Sequence, residues 1–113
     1  MLHRIHRLTT AQFDEIMKRG RVTHSPLFTV RACEFPGSGP SRIGAVAPAK
    51  IAKTAVSRNA LRRKIYESVR SLLSELKPDL SIAVFTKGLL ADVKTEQLQL
   101  NLREVFVKAG LLR

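Results

Sequence analysis

The chain has 113 residues, enough for one domain with a modest core, and its 44% hydrophobic and 26% charged residues exclude wholesale disorder. Twenty Lys and Arg face nine Asp and Glu, a net charge of +11 with a pI near 10.9. So much like charge opposes a small fold unless a polyanion neutralises it, which puts nucleic acid first among partner classes, an anionic membrane second and a merely solubilising surface third.

The opening MLHRIHRLTT has no long apolar run, so neither a secretion signal nor a membrane anchor is expected, and residues 1–6 are expected to fray. Thr9 and Thr10 precede a helical pattern running to about Arg19, with Phe13, Ile16 and Met17 at i, i+3 and i+4. Either threonine suits the N-cap, Gly20 sits where a C-terminal stop belongs, and Lys18 and Arg19 lie where the helix dipole favours cations. Extended segments follow. Residues 27–33 alternate, with Phe28, Val30 and Ala32 on one face and Leu27, Thr29, Arg31 and Cys33 on the other. Cys33, the only cysteine, can form no intrachain disulfide and reads as a small buried strand residue, in keeping with a reducing cytoplasm.

The stretch EFPGSGPS (34–41) reads as a hairpin loop leading to a short strand over residues 43–47. The longest helix is expected from about residue 54 to 76, with Leu61, Ile65, Val69, Leu72, Leu73 and Leu76 as its apolar stripe, and Lys77-Pro78-Asp79 ends it. Residues 80–85 form a short apolar strand of the buried type, and Gly88 begins a loop. Thr95 is the expected cap of a final helix carrying Leu98, Leu102, Val105, Phe106 and Ala109, with Gly110 its stop. Helix, strands, helix, strand, helix describe an α+β sandwich, one sheet with helices packed on it, and residues 1–113 read as a single domain.

The informative stretch is KIAKTAVSRNALRRKIYESVR, in which Lys50, Lys53, Arg58, Arg62, Arg63, Lys64 and Arg70 face one acid, Glu67. On a helical wheel Asn59, Arg62, Arg63, Tyr66 and Arg70 fall beside the apolar stripe, Lys64 lies on the other flank, and Arg58 falls nearer the apolar side. Arginine suits phosphate through its planar fork, Tyr66 offers a ring of the kind that stacks on an unpaired base, and Asn59 can donate to phosphate or sugar. Arg58 and Lys53 sit near the helix N-terminus, where the dipole disfavours cations by about 0.3–1 kcal/mol each. Bound phosphate reverses that sign, so the placement favours a phosphate-facing surface over a basic face that is simply wet.

No catalytic constellation accompanies this surface. His3, His6 and His24 form no triad or ligand pattern, and the acids are scattered singly, so neither protein catalytic residues nor a protein metal site is expected, and no small-molecule substrate.

At RIGAVAPAKIAKTAVSRNALRR the sequence resembles the protein component of bacterial ribonuclease P. That family has an R-x-G strand (here Arg42, Ile43, Gly44), a lysine-rich turn (Lys50, Lys53) and an R-N-x-hydrophobic-[KR]-R block opening a long helix (Arg58, Asn59, Leu61, Arg62, Arg63). Arg7-Leu8, Phe13 and Gly20 resemble its first helix, and the strand from Leu80 and the last helix ending at Ala109-Gly110 keep its order, so the resemblance spans nearly the whole chain. It implies a two-layer α/β sandwich of the ribosomal protein S5 domain 2-like kind, with a mixed four-stranded sheet, three helices and a left-handed βαβ crossover. It also implies a cytoplasmic accessory subunit of an endoribonuclease that removes the 5′ leader of precursor tRNA to leave the mature 5′ end. In such an enzyme the RNA subunit performs Mg²⁺-dependent hydrolysis. The basic helix would dock on that ribonuclease P RNA, and a cleft between the first helix and the sheet would take the single-stranded leader. Phe13, Met17 and Phe28 match the lining of the cleft, although the same spacing also serves a closed core. Ala49 and Ala60 replace a usual lysine and a usual arginine, Tyr66 stands where a basic residue is common, and Arg31 stands where a cleft tyrosine is frequent. Two other readings share the charge: a structural RNA-binding protein of the ribosomal type, and a DNA-binding module using the basic helix for recognition.

Overall fold

The computed structural model describes residues 8–88, 90 and 93–113. The terminus expected to fray, with His3, His6 and Arg7, lies outside the described residues. The elements in chain order are α1 (Thr10–Arg19), β1 (Arg21–His24), β2 (Phe28–Glu34), β3 (Arg42–Val46), α2 (Ala55–Arg70), a 3-10 turn (Leu73–Glu75), β4 (Leu80–Thr86) and α3 (Thr95–Lys108). The strands form one mixed sheet in the order β1-β2-β4-β3. β2 pairs antiparallel with β1 and β4, and β3 runs parallel to β4.

The four-stranded sheet and three helices are those expected, but the hairpin is not where the Gly/Pro/Ser signal suggested. β4 lies between β2 and β3, so residues 34–41 are not a hairpin loop. They are clasped instead by the start of β4: Gly39 N–H donates to Asp79 Oδ1 at 2.8 Å, Asp79 N–H to Gly39 O at 2.8 Å, and Phe35 N–H to Asp79 O at 2.8 Å. The Ser41 hydroxyl donates to Lys77 O and accepts from Leu80 N–H at 3.2 Å. Turn-forming residues report that the chain bends, not which strand it rejoins. The true hairpin joins β1 and β2, where Ser25 Oγ accepts from Phe28 N–H at 3.1 Å.

Two helix boundaries also differ. α2 ends at Arg70 rather than near residue 76, because Leu72 N–H bonds to Val69 O and the helix tightens into the 3-10 turn. Leu72 and Leu76 remain buried through that change, so the apolar pattern runs on past the helix. The C-terminal tail takes up the backbone groups released, through Lys77 N–H to Leu111 O and Arg113 N–H to Glu75 O. Arg103 grips the same turn with two hydrogen bonds to the Glu75 carboxylate, 2.6 and 2.9 Å, which hold that carboxyl below its ordinary range. In α3 the capping position is Lys94, with no side-chain cap, and Thr95 is the first helical residue. By contrast α1 and α2 start with reciprocal capping boxes, Thr9 with Gln12 and Thr54 with Ser57.

Helices lie on both faces of the sheet, and they cover the two faces unequally. α2 and α3 close the larger core, in which Phe28, Val30, Ile43, Ile82 and Val84 meet Leu61, Ile65, Val69, Leu98, Leu102 and Phe106. α1 crosses the other face over β2 and β4, burying Ile16 against Cys33 and Ala83. With only ten residues it cannot cover that face. Gly44 of the R-x-G strand fits this layer for a steric reason: a Cβ there would lie 2.6 Å from Leu8 Cδ1, so the bare backbone makes room for the residue leading into α1.

Gly44→Ala should therefore cost about 0.5–1.5 kcal/mol, the cost of turning the half-buried Leu8 side chain aside. In urea unfolding of the four-member cycle with Leu8→Ala, the Gly44 penalty should fall when Leu8 is truncated, and strict additivity would refute the contact.

Candidate nucleic-acid interface

α2 packs Leu61, Ile65, Ser68 and Val69 against the sheet, and this decides where its cations point. Asn59, Arg63 and Arg70 are exposed on the outward face. Lys50 and Lys53 are exposed in the turn before the helix, which Ala52 anchors by its complete burial. Arg58 is half-buried and its Nη1 donates to Ala52 O at 3.2 Å, so it straps this turn to the first turn of α2. Arg62 is half-buried on the β3 side, and its Nη2 donates to Asn59 Oδ1 at 2.5 Å. That bond uses the Asn59 amide oxygen and not its N–H groups. Lys64, on the opposite flank, donates to Leu90 O at 2.5 Å and ties α2 to the segment before α3.

Tyr66 is placed differently from the stacking role expected of it. Its half-buried ring packs against the larger core, and its hydroxyl accepts the backbone N–H of Ala45 at 3.1 Å. β3 is an edge strand, and this bond occupies a donor that its outer side would otherwise leave unpaired.

No acid lies in the first turn of α2. The two ion pairs among the described residues, Arg19–Glu15 and Arg103–Glu75, include neither Arg63 nor Arg70. The outward face therefore carries Arg63 and Arg70 without an ion pair among the described residues, and Glu67 is its one acid.

A second surface lies on the α1 side of the sheet. Strand pairing sets Val22, His24, Thr29, Arg31, Phe85 and Val46 on this face. The Phe13 and Phe85 rings stand 6.4 Å apart and tilted by 43°. Met17 is 42% exposed at the rim, Arg31 is half-buried, and His24 Nδ1 lies 3.1 Å from Thr29 Oγ1. Cys33 lies beneath α1 against Ile16, and burial pushes its thiol pKa up.

Phe28 does not belong to this surface. It is fully buried in the core beneath α2 and α3. Residues three apart in a strand point to opposite faces, so Phe28 and Arg31 cannot line one groove. Phe85 takes the aromatic place instead, and its own strand concealed it: an apolar run buried on both faces does not show which residue meets a groove.

The two surfaces meet at the β3 edge. Leu8, Thr9, Thr10 and Phe13 face Gly44, Ala45, Val46 and Ala47 across a cavity of about 340 Å³, and Arg62 of α2 lines the same cavity. Arg62 is thus shared between the basic helix and the aromatic groove. Among the described residues no group of three or more His, Cys, Asp or Glu is placed to hold a metal, and no helix is long and apolar enough to cross a membrane.

A mixed sheet backed by an outward cationic helix, with the half-buried Phe13 and Phe85 rings and Arg31 on its other face, describes a small basic α+β protein suited to a polyanion. The family model for ribonuclease P matches residues 2–110. The ribonuclease P protein component of Microcystis aeruginosa is 30% identical over 115 residues, covering 98% of this chain and 96% of its own. That of Symbiobacterium thermophilum is 29% identical, covering 89% and 87%. The solved RNase P protein of Staphylococcus aureus superposes with a TM-score of 0.80 at 27% identity, over 96% of this chain and 98% of that one. The chain belongs to the ribonuclease P protein family, and its role is that of the protein subunit of this endoribonuclease.

Because the Tyr66 hydroxyl serves a backbone donor, Tyr66→Phe should lower stability by about 1 kcal/mol and leave RNA affinity unchanged. Thermal unfolding and RNA titration of the same preparation check this; a drop in affinity without a drop in stability would make the hydroxyl an RNA contact instead.

Proposed function

We propose that the outward face of α2, with Lys50 and Lys53 of the preceding turn, docks on the RNA subunit of ribonuclease P, and that the α1-side groove takes the single-stranded 5′ leader of precursor tRNA. Catalysis belongs to the RNA, with Mg²⁺ held there; the chain binds and positions as one cytoplasmic RNA-binding domain. The observation that carries this reading is the meeting of the two surfaces at Arg62, which lets one small protein contact two RNA segments around the edge of β3.

Each surface suits its RNA. Exposed Arg63, Arg70, Lys50 and Lys53 can neutralise phosphates and release their counterions. In the groove, Phe13 and Phe85 offer faces and edges to unpaired bases, Met17 supplies a soft apolar rim, and Arg31 supplies charge where the resemblance suggested a tyrosine. Leader recognition here leans on the β4 aromatic and on Arg31. By lowering repulsion between its two RNAs, the protein reduces the Mg²⁺ needed for cleavage.

The test is reconstitution with a bacterial ribonuclease P RNA at low Mg²⁺, reading cleavage of precursor tRNA. Stimulation is expected, and its absence would count decisively against the proposal. Arg63→Ala with Arg70→Ala should flatten log K against log salt by about 0.7–0.9 for each phosphate left without its cation. Phe13→Ala should narrow the preference for precursor over mature tRNA, since stacking contributes about 1–3 kcal/mol per base. Phe28→Ala should instead destabilise the fold by about 3–5 kcal/mol. Equal affinity for precursor and mature tRNA in the wild type would favour a ribosomal-type structural role.

A further inference from the structure

One carboxylate stands in the middle of the outward face of α2. Glu67 is exposed, four residues after Arg63, three after Lys64 and three before Arg70, and with them and Ala60 it borders a shallow concavity. Every one of these spacings permits an ion pair along a helix. Glu67 enters neither of the two ion pairs among the described residues, and Lys64 reaches away to Leu90 O. The carboxylate therefore stands free among cations that point to solvent.

A face that met only phosphates would bind them more tightly without this acid, because an ionised carboxylate repels a phosphate and can only accept hydrogen bonds. RNA also carries donors, above all its 2′-hydroxyls and the guanine amino group. Resting on the docking reading above, we infer that Glu67 is a specificity-determining residue. It accepts a hydrogen bond from such a donor of ribonuclease P RNA, while Arg63 and Arg70 hold the flanking phosphates. The cations supply affinity for any RNA, and Glu67 makes one register on one RNA better than the rest.

Full-length wild type, Glu67→Gln, Glu67→Lys and the double variant Arg63→Ala with Arg70→Ala are titrated with ribonuclease P RNA and with an unrelated RNA of equal length, over a salt series. Glu67→Gln should bind ribonuclease P RNA about ten-fold more weakly and the unrelated RNA as well as or better than wild type. Glu67→Lys should also weaken the specific complex in spite of its added positive charge. Tighter or unchanged binding of ribonuclease P RNA by either Glu67 variant overturns the inference, as does a weakening confined to Mg²⁺ and absent in monovalent salt, which would mark a carboxylate-held cation. Unchanged binding by the double arginine variant overturns the docking reading itself. In RNA carrying random 2′-deoxy or inosine substitutions, a position that weakens wild type but not Glu67→Gln identifies the donor as hydroxyl or amino. If no such position exists, the hydrogen bond is refuted.

Discussion

The architecture depends on the burial of β4 on both faces. Leu80, Ile82 and Val84 enter the core under α2 and α3, while Ala83 meets Ile16 beneath α1. A strand buried on both sides needs partners at both edges and helices above and below, since unpaired backbone groups away from water are costly. β2 supplies an antiparallel edge and β3 a parallel one. Parallel neighbours need a crossover connection, and α2 is that connection. Its apolar stripe is thereby committed to the sheet, and its remaining circumference must face outward. The direction of Arg63 and Arg70 follows from how β3 and β4 are joined.

The fold tolerates its cations because they stand apart from the packing. The larger core contains no ionisable side chain among its fully buried members, and Arg58, Arg62 and Lys64, which approach it, each donate to an oxygen of the same chain. Where a stabilising pair is made, as between Arg103 and Glu75, it pins α3 to the turn after α2, away from the outward basic face. Surface pairs of this kind contribute little energy, and their value here is placement. Apart from Glu67 the acids of the chain lie off the α2 face, which keeps much of the excess behind the net charge of +11.

Much of this was legible in the sequence. Helical periodicity located all three helices, because a 3.6-residue stripe sustained over two or more turns suits no other regular backbone. The basic face of α2 was legible for the same reason, since the position of the stripe fixes its opposite. What the sequence concealed were facts of pairing. Residues 34–41 bend as predicted, yet β4, which begins beyond the whole of α2, takes the place beside β2. Phe85 becomes a groove residue only once it pairs opposite Thr29. Tyr66 on a wheel lies beside Arg62, but the wheel does not know that the edge of β3 runs beneath its hydroxyl. Phe28 is a different matter: its parity with Arg31 was available, and the family resemblance outweighed it.

The partial cover given by α1 ties these points together. A helix long enough to span the sheet would have sealed Phe13, Phe85 and Arg31 into a second closed core. A ten-residue helix, begun by the Thr9 capping box, instead leaves Thr29, Arg31 and Phe85 of β2 and β4 partly exposed beside it. Gly44 lets the chain before α1 press close to β3, where Phe13 and Arg62 line one cavity. Shortness in one helix and a missing side chain in one strand thus convert what would be packing into a surface. The proposed contact between leader and groove needs no element beyond those that hold the sheet together.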